Sequence, residues 1–401
     1  MPHQCSTIRS HGRMGTKRVV IVGSGLAGYS MAQELRKKDN ALEIVLVTAE
    51  AGASYSKPML SNAITQRRAT AQLVTSPPEA MATRLNLVLN ARERVTRIAV
   101  DGHYIETSAR VVHYDALILG TGAAPIRAPI AGNAAHAVLT VNDLDDYTLF
   151  RQTVEGARRV LIMGAGLISC ELANDLLSAN VTPVIVDPGP QPLASLAAAE
   201  TGRSLQRALE AGGAQWRFGR KVHSLPVDSG RYSALLNDGE TLEVDAVLSA
   251  IGLRPRTELA LTAGLHVNRG IMVDQYGRTN HPRIYAIGDC AEYEDGLRPY
   301  VRPVLVAAKA MAATITRTPT AITFPLMPVT VKTPRYPVAV LRPSVDQVGM
   351  WLAEPDCENH LVFRDNDGTI QGFSLGGTSS SSRAPGVAPA VQTASDQCLI
   401  S

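Results

Sequence analysis

The chain has 401 residues, 45% of them apolar and only 4% aromatic. That apolar share excludes a wholly disordered chain, and the length suits two or three domains with real cores. A net charge of +3, from 39 basic against 36 acidic residues, is too mild for a dedicated nucleic-acid protein, though it permits an acidic partner. No run of roughly 18 apolar residues is present, so no membrane insertion is expected.

Residues 1–17 are basic and lack both acids and an apolar region, so they read as a disordered N-terminal extension rather than a targeting segment. Residues 18–22 form a β-branched run that predicts a strand. Gly23-Ser24-Gly25-Leu26-Ala27-Gly28 follows at once, then a helical pattern over 29–38 and a second strand over 43–47. This is a β-α-β unit carrying G-x-G-x-x-G. Gly23 allows the tight turn, Gly25 lets the backbone approach a pyrophosphate, and Gly28 permits close helix–strand packing. The helix N-terminus then offers free N–H groups to phosphate. An acid is expected about 20 residues on. Thr48 stands at that point; Glu50 either reaches the ribose or is a solvated loop carboxylate.

The pattern recurs. Residues 159–163 predict a strand, Gly164-Ala165-Gly166-Leu167-Ile168-Ser169 the turn, 170–179 a helix and 182–186 the next strand. Ser169 replaces the third glycine or alanine, and its small side chain keeps close packing with slight crowding. Asp187 ends the strand. A carboxylate there accepts hydrogen bonds from a ribose 2′-OH and repels a 2′-phosphate. The local Asp187-Pro188-Gly189-Pro190 contains no arginine, which favours NADH over NADPH. Two such units predict two dinucleotides in one chain, most simply FAD in the first and a nicotinamide in the second.

Further strands are predicted at 116–119, 246–251 and 283–287, and a helix over 300–316. Short proline-bounded strands over 324–373 suggest a small α+β cap. The serine-rich residues 376–401 read as a low-complexity, disordered tail. Cys5, Cys170, Cys290, Cys357 and Cys398 are widely spaced, which excludes C-x-x-C redox motifs and the usual zinc spacings. No metal site is expected. Free thiols fit a reducing cytoplasm. Cys170 and Cys290 abut motifs, but a thiol without a resolving partner cannot run disulfide exchange, so both read as structural.

Three further motifs complete the pattern. They are Leu117-Ile118-Leu119-Gly120-Thr121-Gly122-Ala123-Ala124-Pro125, then Leu248-Ser249-Ala250-Ile251-Gly252-Leu253-Arg254-Pro255, and Thr279 followed by Ile284-Tyr285-Ala286-Ile287-Gly288-Asp289. With these the chain resembles the two-dinucleotide flavoprotein reductases. Tyr55-Ser56-Lys57-Pro58-Met59-Leu60-Ser61, Arg256-Thr257-Glu258-Leu259-Ala260, Val267-Asn268-Arg269-Gly270-Ile271 and Met327-Pro328-Val329-Thr330-Val331-Lys332-Thr333-Pro334 narrow the likeness. Over about 18–375 the sequence is similar to the bacterial rubredoxin reductases of alkane hydroxylation.

The resemblance implies an α/β chain with two Rossmann-like dinucleotide-binding domains, for FAD and NADH, plus the cap. Its parts are an FAD domain at 18–122 and 250–320, an NADH domain at 123–249 and a cap at 321–375. By motif, FAD contacts the turn from Gly23 to Gly28 (Ser24, Gly25, Leu26 and Ala27 included), Thr48, Ala49, Lys57, Val95, Gly122, Asp289, Val301 and Lys332. Asp289 points at the ribitol. Glu171 stands near the flavin where the nicotinamide enters, and its place in a first helical turn is also favourable for an acid. A Lys332 ammonium near the flavin's pyrimidine end would stabilise the anionic reduced form. Hydride would pass from NADH to flavin and single electrons onward to rubredoxin, a small acidic iron carrier. A ferredoxin reductase or an NADH oxidase is the alternative within the superfamily. A flavin-binding sensor that no longer turns over is the alternative outside it, prompted by a serine-rich tail where the family has a helical, lysine-containing segment.

Overall fold

The computed structural model describes residues 17–377, apart from 229, 345, 355 and 356. The expected extension and tail lie outside the described residues, save Lys17, Gly376 and Gly377. The chain forms two compact units. One comprises 17–54, Pro77–Gly122 and Thr257–Ile322; the other comprises Tyr55–Ser76, Ala123–Arg256 and 323–377.

The first unit is built on a parallel sheet in the order Ile284–Ala286, Ala116–Leu119, Arg18–Val22, Glu43–Val47, Leu87–Asn90. Helices Leu26–Lys38 and Val301–Ile315 belong to this unit. A parallel sheet covered on both faces needs apolar side chains on both, which is why its strands read as continuous runs rather than alternations. Val19, Val20, Ile21 and Leu117–Leu119 are accordingly buried.

The second unit repeats this plan with four parallel strands, in the order Gln215–Phe218, Thr182–Asp187, Arg159–Met163, Ala246–Ser249. Helix Leu167–Leu177 follows its glycine turn. An antiparallel group from Val222 to Val244 covers one face, burying Leu161, Met163, Val184 and Val186 with Leu236 and Leu242. Residues Tyr55–Ser76 belong to this unit too, although they precede it by some distance in sequence. They place Leu60, Ala63 and Leu73 in the same core as Ile162, Leu172 and Leu176.

The cap is a five-stranded antiparallel sheet, in the order Val329–Val331, Val338–Leu341, Ile370–Gly376, Cys357–Asp365, Gly349–Glu354. Its helical part, expected from the sequence, does not occur among the described residues of 323–377. Pro325, Pro328, Pro334, Pro337 and Pro343 interrupt any helical period there. The sheet packs within its unit through Val331, Val338 and Val340.

Candidate cofactor-binding sites

In the first unit the strand Arg18–Val22 ends at Gly23, whose φ of +106° is left-handed and favours glycine. Gly25 is the N-cap of Leu26–Lys38, so the N–H groups of Leu26, Ala27 and Gly28 precede the first helical donor, Tyr29 N, which bonds to Gly25 O. A Cβ at Gly23 or Gly28 would overlap backbone, that of Gly120 and Gly23 respectively. A Cβ at Gly25 would meet nothing within 4 Å. The first two glycines are required by the protein itself; the third leaves open space at a helix N-terminus, which is what a pyrophosphate needs.

The other predicted FAD contacts of this unit gather around that turn to different degrees. Thr48 is buried and its hydroxyl lies 2.9 Å from Ser24 Oγ; Ala49 beside it is exposed. The 120–122 turn and the Gly288–Cys290 turn meet where Ile287 N donates to Leu119 O at 3.0 Å. A Cβ on Gly288 would come within 3.0 Å of Ala27 Cβ, so the Asp289 turn abuts the glycine turn. Asp289 itself is half-buried, and Gly122 has a φ of +68°. Val301 opens helix Val301–Ile315 and is exposed. Val95 is a half-buried residue of the antiparallel strand Val95–Ala99.

The second unit reproduces the turn. Gly164 has a φ of +98°, and Gly166 caps Leu167–Leu177 with nothing within 4 Å of a Cβ. Ser169 is fully buried, and its Oγ donates to Ala250 O at 3.3 Å, which satisfies the one polar atom that the substitution adds. Asp187 Oδ2 accepts from Ala165 N at 2.8 Å and Oδ1 from Gly189 N at 2.6 Å. An ionised carboxylate has about four acceptor sites, so two remain for a ribose.

Glu171 and Lys332, the predicted catalytic pair, are in contact within this unit. Glu171 is 1% exposed. Its Oε1 accepts from Lys332 N at 2.7 Å and its Oε2 from Lys332 Nζ at 2.8 Å. Ser61 Oγ donates to Glu171 Oε2, and Lys332 Nζ also donates to Pro58 O at 2.7 Å. A buried carboxylate with this many donors, one of them a cation, is a fully compensated charge. Lys57 opens the same 3₁₀ turn, Lys57–Asn62, half-buried, and is not among the groups that touch Lys332. Ser61 and the Pro58 carbonyl are site groups that the sequence did not single out. The only signal was their place in the Tyr55–Ser61 motif.

Burial pushes the thiols of Cys170 and Cys290 up, away from the thiolate range that nucleophiles need. Among the described residues both are free, and no group of His, Cys, Asp and Glu has metal-holding geometry.

Residues 17–315 match the family model described as pyridine nucleotide-disulphide oxidoreductase, and 321–387 match the rubredoxin binding C-terminal domain. The chain belongs to the pyridine nucleotide-disulphide oxidoreductase family. More particularly, it is 39% identical to a rubredoxin-NAD(+) reductase of Alcanivorax borkumensis, covering 90% of this chain and 94% of that one. It is 38% identical to another of that name from Acinetobacter baylyi, with the same coverage. A ferredoxin reductase structure from Rhodopseudomonas palustris shares the fold, with a TM-score of 0.83 at 23% identity, over 90% of this chain and 91% of that one.

Proposed function

We propose that the chain is an NADH-dependent flavoprotein that reduces rubredoxin. The observation that carries this reading is the doubled turn, in which Gly25 and Gly166 each leave side-chain-free space at a helix N-terminus. The rubredoxin-binding match at 321–387 and the two reductase relatives support the acceptor. On this reading the FAD domain is 18–122 and 250–320, the NADH domain 123–249 and the cap 321–375, although Tyr55–Ser76 and 250–256 group with the second compact unit.

FAD supplies the chemistry that couples a two-electron hydride donor to a one-electron iron acceptor. The chain's residues do the rest. The Gly23–Gly28 turn, Thr48, Ala49, Val95, Gly122, Asp289 and Val301 bind FAD. Lys57, Glu171 and Lys332 serve it as well, with the Lys332 side chain held 2.8 Å from the Glu171 carboxylate. Gly164, Gly166 and Asp187 bind NADH, and Asp187 rejects a 2′-phosphate. No helix among the described residues is long and apolar enough to cross a membrane. We place the enzyme in the cytoplasm, serving alkane hydroxylation.

The test is direct. Purified protein should be yellow, bleach with NADH in the absence of air, and reduce rubredoxin faster than ferredoxin or oxygen. Equal rates with ferredoxin would defeat the acceptor assignment. A yellow protein that does not bleach would favour a sensor.

A further inference from the structure

One face of helix Leu167–Leu177 buries three polar side chains, Glu171, Asn174 and Asp175. At i, i+3 and i+4 they share one surface of the helix. Each grips a chain segment that is remote in sequence. Glu171 takes Ser61 and Lys332, as described. Asn174 Oδ1 accepts from Arg335 N at 3.3 Å. Asp175 Oδ2 accepts from Ile64 N at 3.1 Å and Oδ1 from Thr65 N at 2.6 Å. The helix thus holds 58–65 at two points and 332–335 at two points.

Asp175 is fully buried; burial pushes its carboxyl up, and the Thr65 and Ile64 hydrogen bonds offset this only in part. A carboxyl group in such a place costs stability unless it does something an apolar residue could not. Here it seizes two consecutive backbone amides directly after the Lys57–Asn62 turn. That turn carries the Pro58 carbonyl and Ser61 Oγ, both acceptors for Lys332 Nζ, at 2.7 and 3.3 Å.

We propose that Asp175 is a positioning residue: by holding the amides of Ile64 and Thr65 it keeps Pro58 and Ser61 seated on the Lys332 ammonium. The consequence for the flavin rests on the function proposed above; the clamp itself does not. Asn at 175 keeps the size but presents an NH₂ donor to one of the two amide donors, so one grip is lost.

The test uses full-length, FAD-loaded protein carrying Asp175→Asn, Ser61→Ala, or both. It reads hydrogen exchange of the amides over 329–335 and the flavin reduction potential. Each single variant should speed that exchange roughly fivefold, the worth of one ordinary hydrogen bond. Each should shift the potential in the same direction. The double variant should fall short of the sum of the two single variants, because Asp175 acts partly through Ser61. Additive effects would overturn the proposal. So would a folded Asp175→Asn protein with lowered Tm but unchanged exchange and potential. Should Asp175→Asn not fold, Asp175→Ser, which keeps one acceptor oxygen, is read in the same way. If wild-type protein binds no FAD, the proposed function fails, while the exchange measurement on that protein still decides the clamp.

Discussion

Thr48 and Asp187 occupy one position in two copies of the same β-α-β unit. Val22 pairs with Val47 and Met163 with Val186, so each residue comes directly after the strand residue that pairs beside its own glycine turn. Gly23 N donates to Val47 O and Gly164 N to Val186 O, both at 2.8 Å. Thr48 meets its turn through the hydroxyl of Ser24, whereas Asp187 meets its turn with a carboxylate that accepts from Ala165 N. One glycine turn is therefore met by a hydroxyl and the other by a carboxylate.

Asp187→Ala should erode the preference for NADH over NADPH by roughly tenfold or more, since the ribose loses its acceptor and a 2′-phosphate loses its repulsion. Ratios of kcat/KM for the two coenzymes check this. An unmoved ratio would remove Asp187 from the ribose.

The glycines separate folding from binding. Gly25→Ala should fold with near-normal Tm and lose FAD, because its Cβ meets no protein atom. Gly166→Ala should keep FAD and lose NADH affinity. Gly28→Ala should destabilise by about 1–3 kcal/mol or more, because its Cβ overlaps the Gly23 carbonyl. Flavin content, NADH titration and thermal melts distinguish the three.

The Glu171–Lys332 pair is unequal, with side-chain exposures of 1% and 34%. Lys332→Met strands a buried carboxylate and should cost about 3–5 kcal/mol. Glu171→Gln leaves the ammonium with Pro58 O, Ser61 and partial access to water, and should cost about 1 kcal/mol. Urea melts that gave the reverse order would contradict this geometry.

Asp245 accepts from Arg158 N at 2.8 Å and Arg159 N at 2.9 Å. Burial is the largest single influence and raises its carboxyl, but these backbone donors and nearby arginines together hold it below the usual 3.8. A depressed carboxylate stabilises the fold above its unfolded value and stops doing so as pH falls through its folded value. The Tm gap between wild type and Asp245→Asn should therefore be present at pH 7 and close below about pH 4. A gap that persists in strong acid would contradict the role.

Local pattern carried much of the fold. The strands at 18–22, 43–47, 116–119 and 159–163 coincide with expectation because each is an unbroken apolar run closed by a glycine or a polar loop. Helix starts came out three residues late, at 29 and 170 against Leu26 and Leu167, because the helical backbone begins inside the fingerprint, directly after its second glycine. The Ser61–Glu171–Lys332 contact was invisible in this sense. Its members are 110 and 161 residues apart, and no local period distinguishes a buried glutamate on a helix from a solvated one. Only likeness to a family pointed at two of the three.

The placement of Leu60, Ala63 and Leu73 has a practical outcome for anyone dissecting this protein. A fragment cut as the continuous stretch 123–256 would lack the three side chains that plug its interior, and the two leucines alone are worth about 3–6 kcal/mol of burial. Such a piece should precipitate or melt near ambient temperature. Supplying both 55–76 and 323–377 on the same polypeptide, through engineered linkers, should restore a stable, crystallisable half.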